Sequence, residues 1–220
     1  MLINEVTSKT NEMAKHSKTY AGVNRYLLKH KIQDMLGHGS DAEVYVDPNN
    51  EKFVYKVLIG SDPGRPSSSA FSAFKQFYKY VKSHRDNKHL PLMYDPIRIY
   101  RGKTPHNETV YMVPMEKLKP LGLDYLGEVA SDMIENADRY KYNTSQMWAF
   151  LKAQMNSYHH VPEQHQEKIL DEVMGAFDTI SDLLRKTNIG KLSPDLMSKN
   201  IMRRGNTIVV TDPYFDVGDY

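Results

Sequence analysis

At 220 residues, with 40% hydrophobic and 25% charged side chains, the sequence is long enough to bury a core as one domain or two small lobes. Lys+Arg 29 against Asp+Glu 27 leaves a net charge of +2, too weak a field for a general nucleic-acid or membrane surface. The cysteine count is zero, which excludes disulfides and thiolate metal sites and fits a cytoplasmic setting. The start, MLINEVTSKTNEMAKHSKTY, carries no secretory apolar stretch, and no run approaches the roughly 20 apolar residues of a membrane span.

Residues 1–30 are polar, with weak helical spacing at Val23, Tyr26 and Leu27, and read as an N-terminal extension. KIQDMLGHGSDAEVYVDPNNEKFVYKVLI then predicts two strands around Asp47-Pro48-Asn49-Asn50, residues that favour turns for backbone reasons. A Gly/Pro/Ser loop leads into a helix in which Phe71, Phe74, Phe77, Tyr78 and Val81 recur every three or four residues. A second strand pair follows around MYDPIRIYRG and TVYMVPMEKL. Helical spacing returns in LDYLGEVASDMIENA, in SQMWAFLKAQMNSY and in EKILDEVMGAFDTISDLLRKTNIG, which closes on Gly190. Trp148 lies in apolar spacing with Met147 and Leu151, which predicts a core position. The last stretch, LSPDLMSKNIMRRGNTIVVTDPY, predicts a hairpin: Asn200 to Arg203, a Gly205-Asn206 turn, and Thr207 to Thr211 returning to Asp212. Arg203 and Arg204, next to that turn, are expected to face solvent.

Three groups of residues in this order carry chemistry. Gly37 and Gly39 lack side chains that would hold a polyphosphate away from backbone amides. Lys56, between Tyr55 and Val57 on the returning strand, shares a face opposite its neighbours and can reach phosphate oxygens. Asn200 and Asp212, brought together at the open end of the hairpin, offer hard oxygen donors suited to Mg2+, and Asp195 precedes them on a loop.

The stretch from Leu36 to Val44, with Gly37, His38, Gly39 and Ser40, resembles a protein-kinase glycine-rich loop, with Ala42 where a third glycine is usual. Val54-Tyr55-Lys56 resembles the kinase strand with the nucleotide lysine, Asp195 to Asn200 the catalytic loop, and Asp212-Pro213-Tyr214 the Asp-Phe-Gly position. More narrowly, residues 31–216 resemble the early serine/threonine protein kinases of T7-like bacteriophages, which share an Asn-Ile-Met strand followed by Thr-Asp-Pro. The resemblance implies an α+β, two-lobed protein-kinase-like fold with a nucleotide cleft between the lobes. A small antiparallel-sheet N-lobe would span residues 31–118 and contain the glycine-rich loop, the Lys56 strand and one helix. A reduced helical C-lobe would span residues 119–220, since only eight residues follow Asp212.

By the same resemblance, Gly37, His38, Gly39, Ser40 and Val44 line the ATP site and Lys56 contacts the α- and β-phosphates. Met115 lies behind the adenine, which the backbone of Glu116 and Leu118 bonds. Asp195 is the catalytic base, and Asn200 and Asp212 hold Mg2+. The sequence departs from the pattern in having no Glu between Ser67 and His84, with Gln76 the nearest substitute, and in placing Ser193, Pro194 and Met197 where His, Arg and Lys are common. The function implied is an ATP- and Mg2+-dependent serine/threonine kinase acting on host proteins, RNA polymerase or RNA-processing enzymes among them, in the infected cell's cytoplasm. One alternative is a non-catalytic kinase-like module that binds and inhibits a host protein, and a third reading is a small-molecule phosphotransferase, since the catalytic loop is nearly as close to that branch.

Overall fold

The computed structural model describes residues 27–32, 34–38, 42–58, 68–100, 109–155, 157–158, 161–186, 192–194, 196, 200–212 and 214–216. The chain is α+β, and it divides into a unit formed by residues up to Phe71 with Tyr94–Lys117, and a unit formed by Ser72–Met93 with Leu118–Tyr220.

The first unit is an antiparallel sheet of β1 (Met35–His38), β2 (Ala42–Val46), β3 (Phe53–Leu58), β4 (Ile97–Tyr100) and β5 (Thr109–Glu116), in the order β1-β2-β3-β5-β4. The expected turn joins β2 to β3. The Asp47 carboxylate accepts the Asn49 N–H at 2.8 Å and the Tyr55 hydroxyl at 2.9 Å, so one short side chain both shapes the turn and holds the returning strand. A bulge between Met35 and Gly37 offsets β1 by one residue. One sheet face closes a core of Tyr45, Val57 and Met112 against Leu27 and Ile32. Leu27 begins a helical turn that ends with Lys31 at φ 58°, while Ile32 N–H returns to Leu27 O at 2.8 Å and Lys31 N–H to Leu28 O at 3.1 Å. This left-handed cap brings its two flanking apolar residues together, and those are the two that cover the sheet.

The second unit holds α1 (Ser68–Ser83) from Ser72 onward, β6 (Lys119–Pro120), α2 (Tyr125–Asn136), α3 (Thr144–Met155) and α4 (Glu163–Lys186). It also holds β7 (Leu192–Pro194), β8 (Ile201–Arg204), β9 (Thr207–Val210) and β10 (Tyr214–Asp216). Val129, Met133, Met147, Leu151, Val173, Phe177 and Ile180 from the three later helices bury fully with Ile201, Ile208 and Val210. Sequence reasoning attaches α1 to the sheet lobe, but from Ser72 on it groups with the helices. Tyr80 donates to Asp182 at 2.7 Å, and just beyond α1 the Asn87 amide donates to Thr179 at 3.0 Å. Trp148 is also not in the core: Met147 and Leu151 are fully buried, whereas Trp148 is 41% exposed beneath the Lys152 ammonium. Adjacent helical positions point about 100° apart, so an apolar stripe through residue 147 leaves residue 148 outside it.

The loop after α1 is clamped into this unit by His89. Its Nδ1 donates to Ile208 O at 2.9 Å, its carbonyl accepts Val210 N–H at 2.9 Å, and Glu172 of α4 accepts Ile208 N–H at 2.9 Å. The ring rests on bare helix backbone: a Cβ on Gly175 would stand 2.4 Å from its Nε2. Burial holds the imidazole below its ordinary 6.5, outweighing the Ile208 carbonyl and the Glu172 and Asp178 carboxylates, while Lys88 adds to the depression. The unfolded chain takes up this proton near its ordinary value and the folded chain resists it, so below about pH 6.5 the unfolded state binds more protons. The stability contributed by neutral His89 is complete above that pH and is lost as pH falls toward the depressed value. Thermal unfolding followed from about pH 7 to about pH 5 is expected to show a falling midpoint that His89→Gln flattens. An equal slope in parent and variant would remove His89 as its source.

Candidate functional site

In the sheet unit, the pairing register places Gly37, Val44, Lys56 and Val113 opposite one another across β1, β2, β3 and β5. Directly opposed residues share a sheet face, and so do residues two apart along a strand. Val46, Val54 and Met115 therefore form the next row on the same face, and Ala42, Leu58 and Tyr111 the row on the other side. This face is the reverse of the one that closes over Leu27 and Ile32. Lys56 is thus a lysine only 8% exposed on a sheet face it shares with Val44, Val54, Leu58, Tyr111, Val113 and Met115.

Along β5, Met115 pairs with Val54 and Glu116 with Phe53, so Glu116 turns to the other face. The Pro114 carbonyl accepts Tyr94 N–H at 2.9 Å on the edge away from β3, and Lys117 N–H returns to Lys52 O at 2.8 Å. Strand alternation directs the N–H and C=O of Glu116 to the Pro114 edge. Pairing with β4 reaches only to Met112. Leu118 follows the strand, half-buried. Gly39 and Ser40 lie outside the described residues, and of His38 the β1 backbone is described, opposite Glu43.

In the helical unit, β8 and β9 form the expected hairpin, shifted by one residue in its strands, from the Ile201↔Val210 pair to the Arg204↔Thr207 pair. Gly205 takes φ 61° at the first turn position, where glycine carries no steric cost. The ladder closes at its open end through Thr211, whose N–H and hydroxyl both donate to the Asn200 carbonyl, at 2.9 and 3.0 Å. Asn200 is buried and Asp212, next after Thr211, is half-buried. A second ladder joins β7 to β10, with Pro194 opposite Tyr214. Asp195 lies outside the described residues. The chain passes between the same two ladders twice, once through residues 195–199 and once through 212–213.

Neither hairpin arginine is a loose surface charge. Arg203 Nη1 donates to Leu121 O at 2.9 Å and to the Asp124 carboxylate. Arg204 donates to the carbonyls of Lys88 and Leu90 at 3.2 and 3.1 Å. Proximity to a turn suggested exposure, yet partners far away in sequence engage both. His89, Glu172 and Asp124 were also missed. Asp124 carries a local signal as the N-cap of α2, but no periodicity or motif marks His89 or Glu172, or pairs Asp124 with Arg203, because these contacts span more than 30 residues.

No family model matches the sequence, and no curated protein matches it. Among solved structures, the streptomycin-ATP-APH(2")-IIa ternary complex is similar at 17% identity and a TM-score of 0.32, over 90% of this chain and 72% of that one. The gentamicin-APH(2")-IIa complex is similar at 14% identity and a TM-score of 0.34, over the same shares. Alignments this loose assign neither a family nor an activity.

A Cβ on Gly37 would meet no atom within 4 Å, so packing does not require glycine there. Gly37→Ala is expected to leave stability unchanged or raise it by up to about 1 kcal/mol, since glycine within a strand is entropically costly. By the resemblance to a glycine-rich loop, the same variant is expected to bind ATP more weakly in calorimetry. Unchanged ATP affinity would take Gly37 out of the site.

Proposed function

We propose that this protein is an ATP- and Mg2+-dependent phosphotransferase of protein-kinase-like design, acting on serine or threonine hydroxyls of host proteins in the cytoplasm of an infected bacterium. Enzymes of transcription and RNA processing are its substrate class. The observation that carries the reading is the double passage between the two ladders of the helical unit, one passage starting with Asp195 and ending at Asn200, the other consisting of Asp212 and Pro213. Two acidic residues and an amide on short connections between shared ladders supply the base and the metal donors that phosphoryl transfer requires. Lys56 on its apolar sheet face, in register with Gly37 and Val44, adds the phosphate-binding cation.

In this reading the γ-phosphoryl group passes from ATP to the acceptor hydroxyl. The bond between the γ-phosphorus and the β-bridging oxygen breaks, a new phosphorus–oxygen bond forms, the hydroxyl proton goes to the Asp195 carboxylate, and ADP leaves. Bound Mg2+ supplies charge neutralisation at the phosphates. The Asn200 side-chain oxygen and the Asp212 carboxylate are hard donors suited to hold it. Among the described residues no group of three or more His, Cys, Asp or Glu comes together. That donor set fits Mg2+, which keeps phosphate oxygens and water for the rest of its shell. The lack of Glu in α1 favours the second reading, a non-catalytic module that binds and inhibits a host protein.

Incubation with radiolabelled ATP and Mg2+, with and without host lysate, separates the two readings: label transferred to protein supports the first, and its absence the second. Thermal stabilisation by ATP is expected to be larger with Mg2+ than without, following RT ln(1 + [L]/Kd), and Asp212→Asn should reduce that Mg2+-dependent increment. Asp195→Asn should slow transfer by about two orders of magnitude or more, the usual scale for a positioned proton acceptor, while ATP affinity stays at the parent value. An undiminished rate in Asp195→Asn would show that another group takes the proton.

A further inference from the structure

β8 is the central strand of a three-stranded sheet, β6-β8-β9, and its two edges are secured by different means. The β9 side is a four-residue ladder backed by His89 and Glu172. The β6 side is only two residues long, Lys119 opposite Arg203 and Pro120 opposite Met202, and proline has no N–H to give. The Arg203 side chain makes up the difference. Its guanidinium binds Leu121 O and the Asp124 carboxylate, and the other Asp124 oxygen caps α2 by accepting Gly127 N–H at 3.1 Å.

The turn from Leu121 to Gly127 is shaped around this contact. Gly122 has φ 83°, and a Cβ on it would come 3.4 Å from Arg203 Nη1. A Cβ on Gly127 would stand 2.3 Å from the Gly122 carbonyl oxygen, so only glycine there lets the turn close. Hydrogen bonding to Arg203 leads the causes that hold the Asp124 carboxyl below the usual carboxylate range, which keeps it ionised as acceptor for both arginine and helix. One side chain thus joins the hairpin, the turn entering the helical unit and the first turn of α2. It does so three residues along β8 from Asn200, roughly 10 Å at the rise of a strand.

We propose that Arg203 is a positioning residue: through Leu121 and Asp124 it fixes the hairpin so that Asn200 and Asp212 are held in their metal-binding arrangement. This rests on the phosphotransferase reading. A guanidinium can engage both acceptors at once because its donors are fixed in a plane, whereas lysine offers a point charge to one of them. Loss of the clamp therefore leaves the hairpin folded but less constrained at its open end, and the effect falls on metal-dependent nucleotide binding.

The test measures ATP affinity with and without Mg2+ by calorimetry, and the apo thermal midpoint, for the parent, Arg203→Gln, Arg203→Lys, Asp124→Asn and the Arg203→Gln/Asp124→Asn pair. The parent must first bind ATP more tightly with Mg2+; a parent with no such gain overturns the phosphotransferase reading and this inference with it. Given that gain, Arg203→Gln is expected to weaken Mg2+-dependent affinity by about 10- to 100-fold, the scale seen when groups supporting a metal ligand are removed. Metal-free ATP affinity should stay unchanged, with Arg203→Lys intermediate and the double variant no worse than Arg203→Gln. Variants that lower the apo midpoint yet keep the parent's Mg2+ gain overturn the inference alone, because the clamp is then purely structural. Should Arg203→Gln fail to fold, Arg203→Lys and Asp124→Asn decide by the same comparison.

Discussion

The helical unit turns on one buried imidazole lying against bare helix backbone. His89 fills the space where Gly175 has no side chain, and its Nδ1 proton goes to the carbonyl of Ile208. Without those contacts, one edge of β9 would present unpaired backbone groups inside the protein, each costing about 1–3 kcal/mol. With them, the neighbouring groups fall into place. Glu172 takes the Ile208 N–H and pairs with Lys88 at 2.6 Å, Asn87 reaches Thr179, and Arg204 collects two carbonyls of the same loop. Among the described residues no buried side-chain nitrogen or oxygen is left without a partner. That completeness is what makes a polar network of this size rigid.

Rigidity at the hairpin matters because its donors sit at its open end, where a two-stranded ladder ordinarily frays. Thr211 closes that end with two hydrogen bonds to one carbonyl, and each flank is held by side chains from distant elements. In the proposed phosphotransferase, metal donors held in this way would need little rearrangement on binding, so less interaction energy would be spent on ordering them. The sheet unit uses a different device. One face of its sheet closes an apolar core with Leu27 and Ile32, and the other carries Lys56 in the same row as Val44 and Val113.

Features set by neighbouring residues were legible in the sequence. The Asp47 turn, the Gly205-Asn206 turn, the two strands around Asp47, the second strand pair, the closing hairpin and the three later helices depend on short-range backbone preferences and periodicity, and the structure has them within a residue or a few, with β1 as a further strand. What failed was assignment to a face or to a partner. Trp148 has the right neighbours for a core residue but the wrong angle. Arg203 looked exposed because Asp124 is 79 residues away. The helix that begins the helical unit looked like part of the sheet because Asp182, which accepts from its Tyr80, comes 102 residues later. In the candidate site, strand alternation set Lys56 on the face opposite Tyr55 and Val57, and the hairpin pattern set Asn200 and Asp212 at its open end, whereas the register of Gly37 with Val44 and Lys56 depends on a bulge in β1 that carries no sequence signal. The ladder between β7 and β10 could not be read, since these strands are three residues each and carry no periodic signal.

The chain enters the helical unit at Ser72, leaves it at Met93 and returns at Leu118, so this unit is assembled from two separate stretches of sequence. Synthesis on a ribosome delivers those stretches one after the other. His89 is made 119 residues before the carbonyl that receives its proton, an interval on the order of ten seconds at ordinary translation rates. During that time the first stretch, with Phe74, Phe77, Leu90 and Met93 destined for burial, has no native place to go. The helical unit therefore cannot complete itself as it emerges, and the nascent chain carries an unsheltered apolar segment until Ile208 has been made. Such a segment is a natural ligand for a holding chaperone. It also means that cutting the gene at any single point between Ser72 and Leu118 yields no fragment containing the whole of this unit.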